Sequence, residues 1–253
     1  MSPVSLNLEA YLKRINYHGR TDVSFETLNE LHIAHTFNIP FENLDVYFNK
    51  PPLLDKDSLF KKLVENKRGG YCFEMNGLFS LVLRELGFKV TDLLVAGRLH
   101  QVLLAEVDGK RYLADVGYGN DGIAGPLLLE EGLEQQQFTN TYRFTSDPAL
   151  GYMLQRLADG EFKPMYTFTL QECTPLDYLI SNHFTATYPE SFFRKMKFCT
   201  MPTREGRITL TDQHYKVTEN GRVTEQAVSG DAEFAELLKK HFGLDIDEIK
   251  SEA

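Results

Sequence analysis

Arg68-Gly69-Gly70-Tyr71-Cys72-Phe73-Glu74-Met75-Asn76-Gly77 is the stretch on which the reading of this chain turns. Two adjacent glycines let the backbone turn sharply and approach a ligand closely. Beyond them Met75, Leu78, Phe79, Val82 and Leu86 recur at helical spacing, and Gly87 supplies a helix stop. The pattern predicts a helix that begins at the cysteine. Amide N–H groups at a helix N-terminus carry partial positive charge, which favours the thiolate over the thiol. They are also suited to stabilising an oxyanion. The plainer reading is a small buried hydrophobe, the usual fate of a free cysteine, so the partners decide.

Working outward, the first third reads as helical. Leu8, Tyr11, Leu12 and Ile15 share one face; Leu28, Leu31 and the segment to His35 share another, behind a candidate cap at Ser24. Leu59, Phe60, Leu63 and Val64 repeat the pattern after Asp57. The middle reads as strands: Val90 to Ala96, His100 to Val107 and Lys110 to Val116. Asp108-Gly109, Asp159-Gly160 and Asn220-Gly221 are each flanked by strand-like runs and predict two-residue hairpins. Phe234, Leu237, Leu238 and His241, closed by Gly243, return the chain to helix.

The hairpin at Asp108-Gly109 fixes a register. Val107 then faces Lys110, which puts Val102 opposite Asp115 and His100 opposite Gly117. His100 and Asp115 become diagonal neighbours on one face, roughly 7–8 Å apart at Cα. An imidazole held by a carboxylate, with its other nitrogen free to take a thiol proton, is what a cysteine triad requires. A one-residue slip would place the two side chains on opposite faces. Elsewhere, His32 and His35 lie on a helical pattern, and His18, His214 and His241 lack a reactive neighbourhood. His183, beside Asn182 in a loop-like segment, is the one rival base, and Cys173 and Cys199 read as structural.

Composition bounds the rest. The chain has 253 residues, 42% hydrophobic and 25% charged, within the globular range. With 27 basic against 36 acidic residues the net charge is −9, which argues against a nucleic-acid footprint. No apolar run reaches the roughly 20 residues of a membrane span. Met1–Leu6 lacks the pattern of a signal peptide. Three cysteines cannot all pair, so a reducing cytoplasm is expected, and no His/Cys cluster suggests a metal.

At these residues the sequence resembles the arylamine N-acetyltransferases. The stretch Arg68 to Asn76 is similar to that family's cysteine motif. Ile39-Pro40-Phe41-Glu42-Asn43-Leu44 is similar to its upstream signature, and His100 with Asp115-Val116-Gly117-Tyr118-Gly119 to its histidine–aspartate block. Pro189-Glu190-Ser191-Phe192-Phe193 is similar to a fourth block. The resemblance implies an α+β chain of three units. A helical domain spans 1–87, a β-barrel domain 88–190, and a small α/β lid 191–253, in a papain-like cysteine-protease arrangement. It implies ping-pong transfer from acetyl-CoA to an arylamine, arylhydrazine or related aromatic amine, with no metal, in xenobiotic metabolism. Cys72 would carry the acyl group, His100 activate it and Asp115 orient His100. Phe41, Tyr118 and Phe193 would line the acceptor pocket, and Gly117 would lie close to the coenzyme. The short Gly97-Arg98-Leu99 approach to His100 departs from the family pattern.

The triad alone leaves other chemistry open. A cysteine-triad amide hydrolase, a transglutaminase-like enzyme and an amide synthase differ from the transferase only in what attacks the thioester. A binding protein that keeps the fold without turnover also fits, and oligomeric state is not legible.

Overall fold

The structure, a computed structural model, describes residues 6–251; the reading of the N-terminal leader falls on Met1–Ser5, outside them. Five helices come first: α1 (Leu8–Arg14), α2 (Phe25–Asn38), α3 (Leu44–Tyr47), α4 (Lys56–Phe60) and α5 (Cys72–Glu85). Asn7, Ser24 and Asp55 cap α1, α2 and α4, each accepting the amide three residues on. The α4 cap is therefore Asp55, and the stripe expected after Asp57 continues through a π-helical turn over Lys61–Glu65. A two-residue strand, β1 (Phe41–Glu42), lies between α2 and α3.

Eight strands follow: β2 (Lys89–Leu94), β3 (Gln101–Val107), β4 (Lys110–Ala114), β5 (Leu127–Leu128), β6 (Gln135–Gln137), β7 (Asn140–Asp147), β8 (Gly151–Ala158) and β9 (Glu161–Phe168). Then come α6 (Pro175–Thr187) and α7 (Phe192–Lys195). Strands β10 (Phe198–Pro202), β11 (Gly206–Thr211), β12 (His214–Glu219) and β13 (Arg222–Ala227) precede α8 (Asp231–Phe242) and α9 (Ile246–Ser251). The α+β class is observed.

The expected barrel is corrected. Among the described residues the middle strands form two open antiparallel sheets, β2-β3-β4-β5 and β6-β7-β8-β9. Isolated bridges at Val95–Phe168 and Glu131–Phe144 join them in place of a continuous ladder. The physical cause is the segment after Ala114, which leaves the sheet to line the site and returns only as the two residues of β5.

All three two-residue hairpins hold. Val107 pairs Lys110, Ala158 pairs Glu161 and Glu219 pairs Arg222. Both residues of each turn have positive φ, as type I′ geometry requires. The segment around His183, expected as loop, is helical and belongs to α6.

Two cores matter for the site. Leu28, Leu31, Phe79 and Val82 of α2 and α5 pack on Leu103 and Ala105 of β3. At the other end, β1-β10-β11-β12-β13 form one sheet, whose Cys199 and Leu210 pack on Phe234 and Leu238 of α8. Because β1 pairs with β10, Phe41 sits opposite Thr200 and Glu42 opposite Cys199.

Candidate active site

The turn that delivers Cys72 is built by close packing and by buried charge. A Cβ on Gly69 would lie 2.1 Å from the Pro40 carbonyl oxygen, so only glycine fits. The Glu42 amide donates to the Gly70 carbonyl (3.0 Å), tying the turn to β1. Arg68 donates through Nε (3.1 Å) and Nη2 (2.7 Å) to Glu42 and through Nη2 to Asp45 (3.0 Å). Lys62 Nζ lies 2.6 Å from both Asp45 and Glu74. The other oxygen of Glu74 accepts the Tyr71 amide at 3.1 Å, capping α5 from its own first turn. Burial raises the Glu74 carboxyl to about 7 against the opposing pull of Lys62.

Cys72 is the first residue of α5 and is buried, as the helical stripe predicts. Its thiol lies 3.8 Å from the Leu99 carbonyl and within hydrogen-bonding reach of His100. The β3–β4 ladder keeps the expected register from Val107–Lys110 to Leu103–Ala114, then opens. Just past its end, His100 Nε2 meets Asp115 Oδ2 at 2.7 Å. Burial alone would lower the His100 pKa. The Asp115 charge, their hydrogen bond and the Cys72 thiol outweigh it and raise the imidazole to about 10. Burial works to raise the Asp115 carboxyl, but His100, Asn76 and Tyr166 together hold it below its ordinary value.

The sequence reading missed what surrounds Asp115. Asn76, one turn beyond Cys72, donates to Asp115 Oδ1 (2.9 Å) and to the Gln101 carbonyl (2.7 Å), and its Oδ1 accepts the Val116 amide (2.9 Å). Tyr166 donates to Asp115 Oδ2 at 2.9 Å. His32 Nε2 accepts the Asp115 amide at 3.0 Å while Nδ1 donates to the Ala124 carbonyl at 2.9 Å. That pairing requires a neutral ring, and burial, the largest influence, lowers His32 to about 4. The spacing of Asn76 from Cys72 on one helix face was a readable signal; Tyr166 and His32 come from distant segments and left none.

The aromatic candidates divide into two groups. Phe41 packs on Phe193 (ring centroids 6.1 Å), which packs edge-on to Tyr71 (5.8 Å). Tyr118 stands edge-on to His100 (5.4 Å) and beside Tyr166 (5.4 Å). Phe41 and Tyr118 meet at a small cavity that also touches Asp115, Gly119 and Arg207. Gly117 lies against the start of α5, where an added Cβ would come within 2.8 Å of the Cys72 Cα. The short approach to His100 is a tight turn, with Gly97 and Arg98 both at positive φ and Arg98 paired to Asp177 of α6.

Other candidates lie apart. His183 is on α6, where Thr187 donates to its carbonyl. Cys199 is buried in the C-terminal core, where burial pushes its thiol up. Cys173 is half-buried, its thiol 3.8 Å from the Gln171 carbonyl. Among the described residues no cluster of acidic, His or Cys side chains is arranged for a metal, and no helix is long and apolar enough to cross a membrane.

A buried thiol at a helix start, beside a histidine whose ring is held by a buried carboxylate, defines the class of cysteine acyl-transfer sites. Comparison with known proteins is more specific. A family model described as N-acetyltransferase matches residues 24–251. The arylamine N-acetyltransferase of Escherichia coli is 37% identical, covering 99% of this chain and 92% of that protein. The structure of the Mycobacterium tuberculosis arylamine N-acetyltransferase superposes with a TM-score of 0.91 at 32% identity, covering 96% of each chain. The Mycobacterium marinum enzyme, solved in complex with CoA, gives 0.90 at 32%, covering 96% of this chain and 94% of that one. The chain belongs to the arylamine N-acetyltransferase family, a family of acyltransferases.

Proposed function

We propose that this enzyme acetylates arylamines and arylhydrazines from acetyl-CoA by a ping-pong route through an acetyl-Cys72 thioester. The observation that carries the reading is the His100–Asp115 contact at 2.7 Å beside the Cys72 thiol. In the first half-reaction the Cys72 sulfur attacks the acetyl carbonyl carbon. The new C–S bond forms as the bond to the CoA sulfur breaks, and His100 returns the proton to the departing thiolate. Helix-start amides of α5 stabilise the oxyanion. In the second half the amine nitrogen attacks the thioester, His100 accepts its proton and Cys72 leaves as thiolate.

Asp115 keeps His100 in the tautomer that presents Nδ1 to the thiol. Phe41, Tyr118 and Phe193 supply the apolar walls on which a flat amine binds, and Gly117 keeps the path to the thiol open for the donor. We read the chain as three units, 1–87, 88–190 and 191–253, with the cysteine helix set against a strand-borne His and Asp in a papain-like way, working in the cytoplasm.

Incubation with acetyl-CoA followed by intact-mass measurement tests the scheme. The expected result is one acetyl adduct, absent in Cys72→Ala and discharged by an arylamine. An unmodified protein that still turns over amide substrates would sink it. Asp115→Asn should cost about 10³–10⁴-fold in turnover through the wrong tautomer, with the melting temperature little changed. Near-normal adduct formation in that variant would remove Asp115 from the mechanism.

A further inference from the structure

Helix α5 presents a second face to a cavity. Cys72 and Asn76 look towards His100 and Asp115. Phe73, Gly77, Ser80 and Arg84 follow one another along a stripe about 100° further round. That stripe is one wall of a cavity of about 550 Å³. Leu59 of α4, Asp92 of β2, Cys173, and Tyr178 and Leu179 of α6 also line it. The cavity shares no lining residue with the smaller one that touches Asp115 and Tyr118. Its size and mostly apolar wall are those of a small-molecule pocket.

The wall offers nothing to a charged guest. Both oxygens of Asp92 are engaged, one with Arg84 and the other with Gln101 Nε2 at 3.2 Å. Asp55 Oδ1 accepts the Ser58 amide at 3.0 Å. The remaining wall charges, Lys56 and Glu172, are opposite in sign. An ion entering here would lose its water without gaining a counter-ion.

Two features invite a neutral guest. The first is the Tyr178 hydroxyl. Tyr178 is only 8% exposed, and its hydroxyl has no hydrogen-bond partner among the described residues. The Cys173 thiol stands beside it, but a thiol is a weak acceptor, and this one makes its contact with the Gln171 carbonyl at 3.8 Å. Burial raises the phenol above the ordinary tyrosine range, so it stays a donor. Buried polar groups nearly always have partners, and an orphaned one calls for an explanation. The second is Gly77. Glycine inside a helix costs stability against alanine. Here it leaves the α5 wall flat: a Cβ would meet only Leu59 Cδ1, at 3.3 Å.

We propose that this cavity is a second small-molecule site, for a neutral, largely apolar compound whose carbonyl or ether oxygen accepts the hydrogen bond of Tyr178. The proposal does not depend on which acyl donor or acceptor serves Cys72.

Cys173, half-buried on the wall, reports occupancy. The full chain is alkylated with iodoacetamide in the presence of 2-acetylnaphthalene or 2-ethylnaphthalene, and each cysteine is followed by peptide mass. The ketone should slow labelling of Cys173 saturably; labelling of Cys72, read in the same digest, reports the acceptor pocket separately. The hydrocarbon, which lacks an acceptor, should need about three- to ten-fold more ligand for the same protection. Tyr178→Phe should bring the ketone down to the level of the hydrocarbon. That variant removes an unpaired hydroxyl at nearly constant volume, so its melting temperature should be unchanged or higher. Absence of ketone protection at Cys173, or protection that Tyr178→Phe leaves intact, overturns the proposal. A clear fall in the melting temperature of Tyr178→Phe overturns it too, since the hydroxyl would then have a partner within the protein.

Discussion

Helices α5 and α6 are nearly equal in length, 14 and 13 residues, yet they are held in opposite ways. Helix α5 buries its large apolar side chains: Phe73, Met75, Leu78, Phe79, Val82 and Leu83. Helix α6 turns Leu176 (64% exposed), Ile180 (62%) and Phe184 (46%) outward. It buries Tyr178, Ser181, Asn182, Thr185 and Ala186 instead. Its grip is polar: the Tyr71 hydroxyl donates to Asn182, and Asn182 Nδ2 donates to the Pro52 carbonyl at 2.9 Å. The helix that carries the nucleophile is fixed by volume and by buried charge, while the helix beside it hangs on a few hydrogen bonds. A reacting atom needs tight placement, and α5 supplies it.

That contrast is open to direct attack, beginning with the strongest lever. Arg68→Met strips the partner from Glu42 and Asp45 next to α5. The expected loss is about 3–5 kcal/mol by urea unfolding, because the buried Glu42 carboxylate is left uncompensated while Asp45 keeps Lys62. A loss below about 1 kcal/mol would mean the network does not hold the turn. Leu83→Ala inside α5 should cost about 2–5 kcal/mol through the cavity it leaves. Thr174→Ala removes the α6 cap, where the Thr174 amide and hydroxyl both donate to Asp177 at 2.8 Å, and should cost about 1 kcal/mol. Ile180→Gln on the outer face of α6 should stay within about 0.5 kcal/mol. A large loss there would show that this face is covered in solution.

The two helices also differ in their response to pH. His100, against the start of α5, is raised in the folded state to about 10 from the ordinary imidazole value of 6.5, chiefly by the Asp115 charge working against burial. A raised base contributes stability fully below the unfolded value and loses it as pH rises through the folded one. The stability difference between the native chain and His100→Gln should therefore be largest near pH 6 and shrink towards pH 10. On the buried face of α6 only Tyr178 titrates, and burial pushes it above the ordinary tyrosine range. Asn182→Ala should accordingly shift stability by an amount that is flat over the same interval.

Much of the site is legible because local rules fix it. The stripe from Met75 to Leu86 sets α5 and puts Cys72 at its first position, and Asp108-Gly109 sets the register that brings His100 and Asp115 to one side. The legible part ends where contacts join distant segments. Tyr166 and His32 reach Asp115 from β9 and α2, and no local pattern announces them. Helix α6 is missed for another reason. Its start signal, Thr174-Pro175 with Asp177, is present in the sequence, but its apolar stripe points outward and Asn182 reads as a loop residue. The barrel fails because Asp115 to Gly125 is spent on the site rather than on the ladder.

The three thiols, set in three unlike surroundings, make the chain its own control for chemical labelling. Cys199 is sealed in a core, Cys173 is half-open without a histidine beside it, and Cys72 is buried but faces His100. Reagents sorted by size and by pH would read access from Cys173, unfolding from Cys199 and activation from Cys72 within one molecule. A compound that modifies Cys72 ahead of the more open Cys173 would be reporting chemistry rather than exposure.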